Sequence, residues 1–254
     1  MTGRSYVLSE VTWKVVKETA FQLAVLPWGA TEPHNNHLPF GTDILESERI
    51  ANEAARLAWE KGVKPLVLPA VPFGVNTTQL GIGPTINMHP STQLQVVRDI
   101  VESLEACGIE KLLILNGHGG NDFRQIIREV RAETSVFLST LNWWTVLDAT
   151  RYFDEPGDHA GELETSLMLY LTPDLVLPLS EAGAGQAKKF RISGLREGWA
   201  WAPREWNEVT SDTGVGDPRA ASIEKGLVYF HAVTEKIAEY LTDLANADLA
   251  DLYD

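Results

Sequence analysis

Cysteine is nearly missing from this chain: Cys107 is the one thiol among 254 residues. That excludes an internal disulfide and any zinc module built from cysteine pairs. Basic residues are also scarce. Lys plus Arg number 21 against 35 Asp plus Glu, a formal net charge of −14, and the isoelectric point lies near 4.8. Binding nucleic-acid phosphates needs a Lys/Arg face, and an anionic membrane surface attracts basic clusters. Neither feature is present, so neither nucleic acid nor membrane is an expected partner. No apolar run nears the roughly 18 residues of a transmembrane helix. The opening MTGRSYVLSE lacks the apolar stretch of a secretory signal. Repeats and low-complexity tracts are absent as well. The expectation is a cytoplasmic protein of one domain, residues 1–254, acting on a small molecule.

The first half of the chain alternates short apolar runs with longer amphipathic ones. Leu23 to Trp28, Leu66 to Val71, Lys111 to Asn116 and Ser135 to Leu141 read as strands. Between them, Thr42 to Trp59, the run from Ser91 to Ala106, and Asp122 to Glu133 read as helices. Ser91 is the expected N-cap of the second of these, and Gly108 its C-terminal stop. This rhythm predicts an α/β fold, a mainly parallel sheet flanked by helices in three layers. Ligands of such a sheet bind at the carboxyl ends of its strands. The second half is less regular: Ala160 to Leu171 and Leu227 to Leu244 read as helices, and Gly183 to Pro218 holds eight glycines and prolines. Long loops of that kind are usually functional or interface-forming.

Histidines and carboxylates gather in three places. GATEPHNNHLPFGTD follows the first strand and offers Glu32, His34, His37 and Asp43. Mixed carboxylate and imidazole donors suit zinc, manganese or iron. Glu32 and His34 alternate by two, so an extended segment points both side chains one way. Asp43 opens a helix, where the dipole favours its charge. NGHGGND follows the third strand and presents His118 among small residues that allow close backbone approach. It is neither a dinucleotide fingerprint nor a P-loop. GDHAGELETS carries Asp158, His159, Glu162 and Glu164 at a helix start. Asp158 is the candidate N-cap, and spacing by three places His159 and Glu162 on one helical face. Taken singly, each cluster also fits a polar loop with a capping residue.

Together these segments resemble the creatininase family. The resemblance runs from LSEVTWKVVKE through LPWGATEPHNNHLPFGTDIL, LLILNGHGGND and HAGELETSLMLYL to GVGDPRAASIEKG. It implies parallel strands flanked by helices, a hexamer, and two-metal hydrolysis of a C–N bond in a small amide or cyclic amide. By that resemblance Glu32, Asp43 and His118 would hold one divalent ion. His34, a bridging Asp43 and a further glutamate would hold the other. Creatininases take that glutamate from the NGH loop, where this chain has Gly120. Glu162 is the expected substitute, with Glu164 the alternative. His159 matches the proton-transfer histidine, and Glu162 is grouped with it as catalytic. His37 matches a histidine beside the ligands. Asn35-Asn36 replaces a glycine common in relatives, and GVNTTQLGI lacks a histidine often found there. Both stretches are expected to line the substrate pocket, which points away from creatinine itself. Trp143 and Trp144 would stack on a flat substrate, and His37, Asn35 and Asn36 complete the expected substrate-binding set.

Other readings remain at this level. One is a two-metal hydrolase or lyase of a sugar derivative or lactone. Another is a non-catalytic, metal-stabilised metabolite-binding protein, although carboxylate-rich ligand sets suit open catalytic sites. A strongly acidic chain with eight tryptophans and a long Gly/Pro-rich stretch is also expected to self-associate.

Overall fold

The computed structural model describes residues 3–253. Four strands form one wholly parallel sheet: β1 (Leu23–Trp28), β2 (Pro65–Val67), β3 (Lys111–Asn116) and β4 (Phe137–Asn142), in the order β2-β1-β3-β4. The helices are α1 (Trp13–Glu18), α2 (Thr42–Glu60), α3 (Pro90–Ala106), α4 (Phe123–Val130), α5 (Glu162–Leu171), α6 (Ser193–Glu197), α7 (Trp206–Val209) and α8 (Ile223–Asn246).

β1 and β3 are buried along their whole length, because alternate residues feed two different cores. Leu23, Val25, Leu113 and Leu115 pack with Ile50, Ala51 and Ala54 of α2, Leu167 of α5 and Tyr229 and Val233 of α8. Ala24, Leu26, Trp28, Leu112 and Ile114 pack with Val97 and Val101 of α3 and Phe123 and Ile126 of α4. This is the three-layer arrangement that the sequence predicts. Pro27 lies inside β1 without cost. Its carbonyl accepts from Val71 N at 3.0 Å on the β2 side, beyond the last residue that β2 pairs, so no ladder bond needs its missing N–H.

Several boundaries differ from expectation. β2 stops at Val67, short of Val71, since Pro69 interrupts the run and only an isolated bridge joins Trp28 to Val71. α3 begins at Pro90 with His89 in the N-cap position, so Ser91 lies inside the first turn. A proline at the first helical position needs no hydrogen-bonding N–H. Asp158 does not cap α5. Ala160 adopts φ +50, which interrupts helical geometry, and Gly161 takes the N-cap position.

Lys111 opens β3 at the edge of the sheet away from Asn116. Its ammonium donates to Ala245 O at 3.0 Å and Ala247 O at 2.7 Å, satisfying carbonyls at the end of α8. At the opposite edge, the segments after β1, β3 and β4 converge with the start of α5, and the three sequence clusters meet there.

Candidate metal centre

Glu32 and His34 sit on the loop leaving β1, Asp43 in the first turn of α2, His118 just beyond β3, and Glu164 in the first turn of α5. Among the described residues, three groups have ligand atoms close enough to share an ion: Glu32, Asp43 and His118; His34, Asp43 and Glu164; and Glu32, His34 and His159. Asp43 belongs to the first two, and it divides its oxygens between them. Oδ1 lies 2.8 Å from His34 Nε2, and Oδ2 lies 3.0 Å from His118 Nδ1. His118 Nδ1 is also 2.9 Å from Glu32 Oε1. Asp43 Oδ2 and His118 Nδ1 are both buried, and neither makes a hydrogen bond. Buried polar atoms are normally satisfied, so this pair fits a cation-binding role.

Each histidine is oriented by a main-chain carbonyl. His34 Nδ1 donates to Glu32 O at 3.1 Å, His118 Nε2 to Val75 O at 3.1 Å, and His159 Nε2 to Pro33 O at 2.8 Å. The carbonyl fixes each ring's orientation and turns its other nitrogen toward the carboxylates, the usual support of metal-bound histidine; for His34 that nitrogen, Nε2, hydrogen-bonds Asp43 Oδ1 at 2.8 Å. Gln79, buried on the loop before α3, donates to Glu32 Oε2 and orients that carboxylate.

The electrostatics are those of tightly opposed charges. Burial favours a neutral Asp43, but His34 and His118 hold its carboxyl well below the usual range. Glu32 is likewise lowered, burial being outweighed chiefly by His118. Burial disfavours charge on His34, yet Asp43 lifts it to about 10. His118 is raised well above the ordinary value by Glu32 and Asp43, against its burial. Glu164 is pushed up by burial, with His34 and His159 opposing.

Glu162, expected as the fifth ligand and a catalytic group, is not in the cluster. Its carboxylate accepts from Lys225 of α8 and from Glu155 N at 2.9 Å. The expectation rested on a helical spacing from His159, but α5 starts only at Glu162. Two residues on, nearly half a turn round the helix, Glu164 points into the cluster. Gly120 cannot supply the acid instead, since a Cβ there would lie 2.3 Å from Val75 O and 2.4 Å from His118 Nε2.

A cavity of about 370 Å³ opens over the cluster. Glu32, Asp43, His118, His159 and Glu164 lie at its floor. Val75 to Gln79, Trp143, Trp144, Trp201, Arg204 and Trp206 line its walls. Trp144 and the GVNTTQLGI loop border the cavity, as the sequence expects. Trp143 also borders it but is fully buried, packed in the core against Trp144 and Tyr229, so its ring is not open for stacking on a substrate. Asn35, Asn36 and His37 do not line this cavity. Asn35 brackets Gly183, accepting from its N at 2.8 Å and donating to its O at 3.1 Å, and Asn36 is exposed. His37 is buried against Thr165 Oγ1 at 2.9 Å, and burial lowers it to about 4. Gln79 falls in the GVNTTQLGI loop that the sequence places at the pocket, but its hold on Glu32 was not read from the sequence. For Arg204 and Trp206 only the glycine- and proline-rich, tryptophan-bearing character of 183–218 gave a signal.

A parallel α/β frame that gathers overlapping carboxylate–imidazole triads at its C-terminal edge defines a class, the α/β proteins with a metal centre at the strand ends. Residues 9–241 match the family model Creatininase, described as creatinine amidohydrolase, and the chain belongs to the creatininase family. It is 27% identical over 199 residues to a creatinine amidohydrolase of Pseudomonas putida, covering 68% of this chain and 75% of that one. It is 29% identical over 220 residues to a mycofactocin precursor peptide peptidase of Mycobacterium tuberculosis, covering 83% and 81%. A crystal structure of a "putative creatinine amidohydrolase" from Bacteroides fragilis superposes with a TM-score of 0.92 at 45% identity, over 96% of this chain and 98% of that one. Solved creatininases sharing the fold include manganese and zinc–zinc forms, with TM-scores of 0.79 and 0.77 at 22% and 24% identity over 96% of this chain and 100% of theirs.

Proposed function

We propose that this chain is a two-metal hydrolase that cleaves a C–N bond in a small amide or cyclic amide. The observation that carries the reading is Asp43, one carboxylate whose two oxygens face two different ligand groups. Glu32, Asp43 and His118 would hold one divalent ion, and His34, Asp43 and Glu164 the other. The donors, three carboxylates and two imidazoles, suit zinc, manganese or iron. Bound there, such ions supply Lewis acidity toward a carbonyl oxygen and ease deprotonation of water.

The remaining residues bind, orient and move protons. His159 stands beside both groups, its Nδ1 3.8 Å from Glu32 Oε1. With Nε2 committed to Pro33 O, Nδ1 is free to take a proton from water and return it to the departing nitrogen. Trp206 meets the His159 ring edge-on at 4.9 Å and restricts its tilt. Trp144 and Trp201 offer flat walls to a planar substrate. Glu162 serves structure here: by holding Lys225 it ties α5 to α8, and α5 carries Glu164.

The test is a screen of cyclic amides, ureides and sugar lactones with the zinc- and manganese-loaded protein. Two ions per chain and turnover of a C–N substrate, abolished in Asp43→Ala, are expected. Turnover of lactones alone would move the reading to C–O chemistry. Failure to take up metal would end it. The working assembly is a homo-oligomer, supported by exposed Trp199 and Trp201 on the long second-half loop.

A further inference from the structure

The cavity is charged unevenly. Its floor and rim carry Glu32, Asp43, Glu164 and Asp158, and among the described residues that line it Arg204 is the single Lys or Arg. Arg204 is held in place from two sides. Its guanidinium lies 5.0 Å from the centre of the Trp206 ring, and Nη2 lies 2.7 Å from Asp158 Oδ2. Trp206 in turn touches the His159 ring, so one indole separates the guanidinium from the proposed proton-transfer residue. Beyond the Asp158 contact, its N–H groups make no hydrogen bond to described residues.

The pair is open to water, with the Arg204 and Asp158 side chains 38% and 59% exposed. Exposed ion pairs contribute little to stability. Asp158 is therefore a weak internal partner that an incoming anion can displace. A guanidinium steadied on an aromatic face presents a flat fork of donors, which matches a carboxylate in two-point contact. We propose that Arg204 determines specificity by pairing with a carboxylate that the substrate carries away from its scissile bond. The preferred substrates are then acidic amides, such as N-acyl amino acids or cyclic amides bearing a carboxylate. This deepens the hydrolase reading and rests on it.

The test compares adipate with hexanoate, equal in length and differing by one carboxylate, on the full-length manganese-loaded protein. Binding is followed by calorimetry and by tryptophan fluorescence, since Trp201 and Trp206 flank the site. One carboxylate can meet the metal end in both compounds, and only adipate carries a second carboxylate to offer Arg204. The wild type should bind adipate at least about tenfold more tightly, the worth of one charge-assisted contact. Arg204→Gln should bring the two dissociation constants within about twofold of each other. Asp158→Asn, which removes the competing anion, should keep the preference or enlarge it; a loss would overturn the proposal even if Arg204→Gln failed to fold. No preference in the wild type, or a preference that survives Arg204→Gln, would also overturn it. Turnover of neutral and acidic amides separates this idea from its parent. Amide hydrolysis without a carboxylate preference rejects the role of Arg204 alone. Adipate selectivity without hydrolysis of any amide rejects the hydrolase and leaves the anion site.

Discussion

Asp43 should be the most damaging position to change, because each of its oxygens serves a different group. Asp43→Ala should lose both ions by elemental analysis, whereas Glu164→Gln should lose one and Glu162→Gln neither. His159→Asn should keep its metals and lower turnover by roughly 10²–10⁴-fold, the usual share of general acid–base catalysis. Near-normal turnover would reduce His159 to a packing residue. Glu46, one turn after Asp43, is a different kind of acid. Both its oxygens are buried without a partner, and burial, with Glu164 and Asp43 adding, raises its carboxyl well above the usual value. A group raised in the folded state stabilises fully below its unfolded pKa, and that stability is lost as pH rises. The loss runs at about 1.4 kcal/mol per pH unit until the folded pKa is reached. Glu46→Gln cannot ionise and escapes that slope. Urea melts should show the variant gaining on the wild type between pH 5 and pH 8, and a constant difference would mean that native Glu46 is ionised. At this scale, Glu32, His34 and Asp43 are legible in sequence because they fall within one short loop and the helix turn after it. Glu164 was not separable from Glu162, because the choice depends on where α5 begins. Arg204 and Gln79 reach the site through irregular loops that no periodicity describes.

At the scale of elements, the junction of α5 with α8 is the most exacting. Gly226 of α8 faces the α5 backbone, and a Cβ there would lie 2.0 Å from Ser166 O. Gly226→Ala should push the helices apart and destabilise the fold by about 1–3 kcal/mol, the usual cost of overpacking. Because α5 carries Glu164, metal affinity should fall in parallel. Unchanged affinity in the destabilised variant would show that the start of α5 is anchored independently, through His159 and Pro33. The strands themselves were readable. β1 and β3 are apolar on both faces, and their limits coincide with the apolar runs. Errors gathered where backbone geometry overrides pattern: Pro69 ending β2, Pro90 starting α3, and Ala160 at φ +50 delaying α5.

For the whole molecule, the expected assembly is larger than one chain. Light scattering at micromolar concentration should give a mass that is a multiple of 28.1 kDa, and a value equal to it would reject self-association. Trp199→Ala with Trp201→Ala should lower that mass if the exposed loop forms the contact. Chelation should lower the melting temperature, since an ion that binds only the native state stabilises it by mass action. None of this assembly could be read from strand or helix patterns, which describe how one chain buries its own apolar surface. The three carbonyl contacts to His34, His118 and His159 carry a last consequence. The aim of each imidazole is written largely into the path of the main chain, with Trp206 alone among the cavity walls bearing on one of the rings, His159. Mutations can then accumulate along the walls while the reactive floor keeps its geometry, and new substrates can be explored without rebuilding the chemistry. A library randomised at Thr77, Thr78, Trp144, Trp201 and Arg204 should therefore retain metal in most of its folded members while changing what they accept.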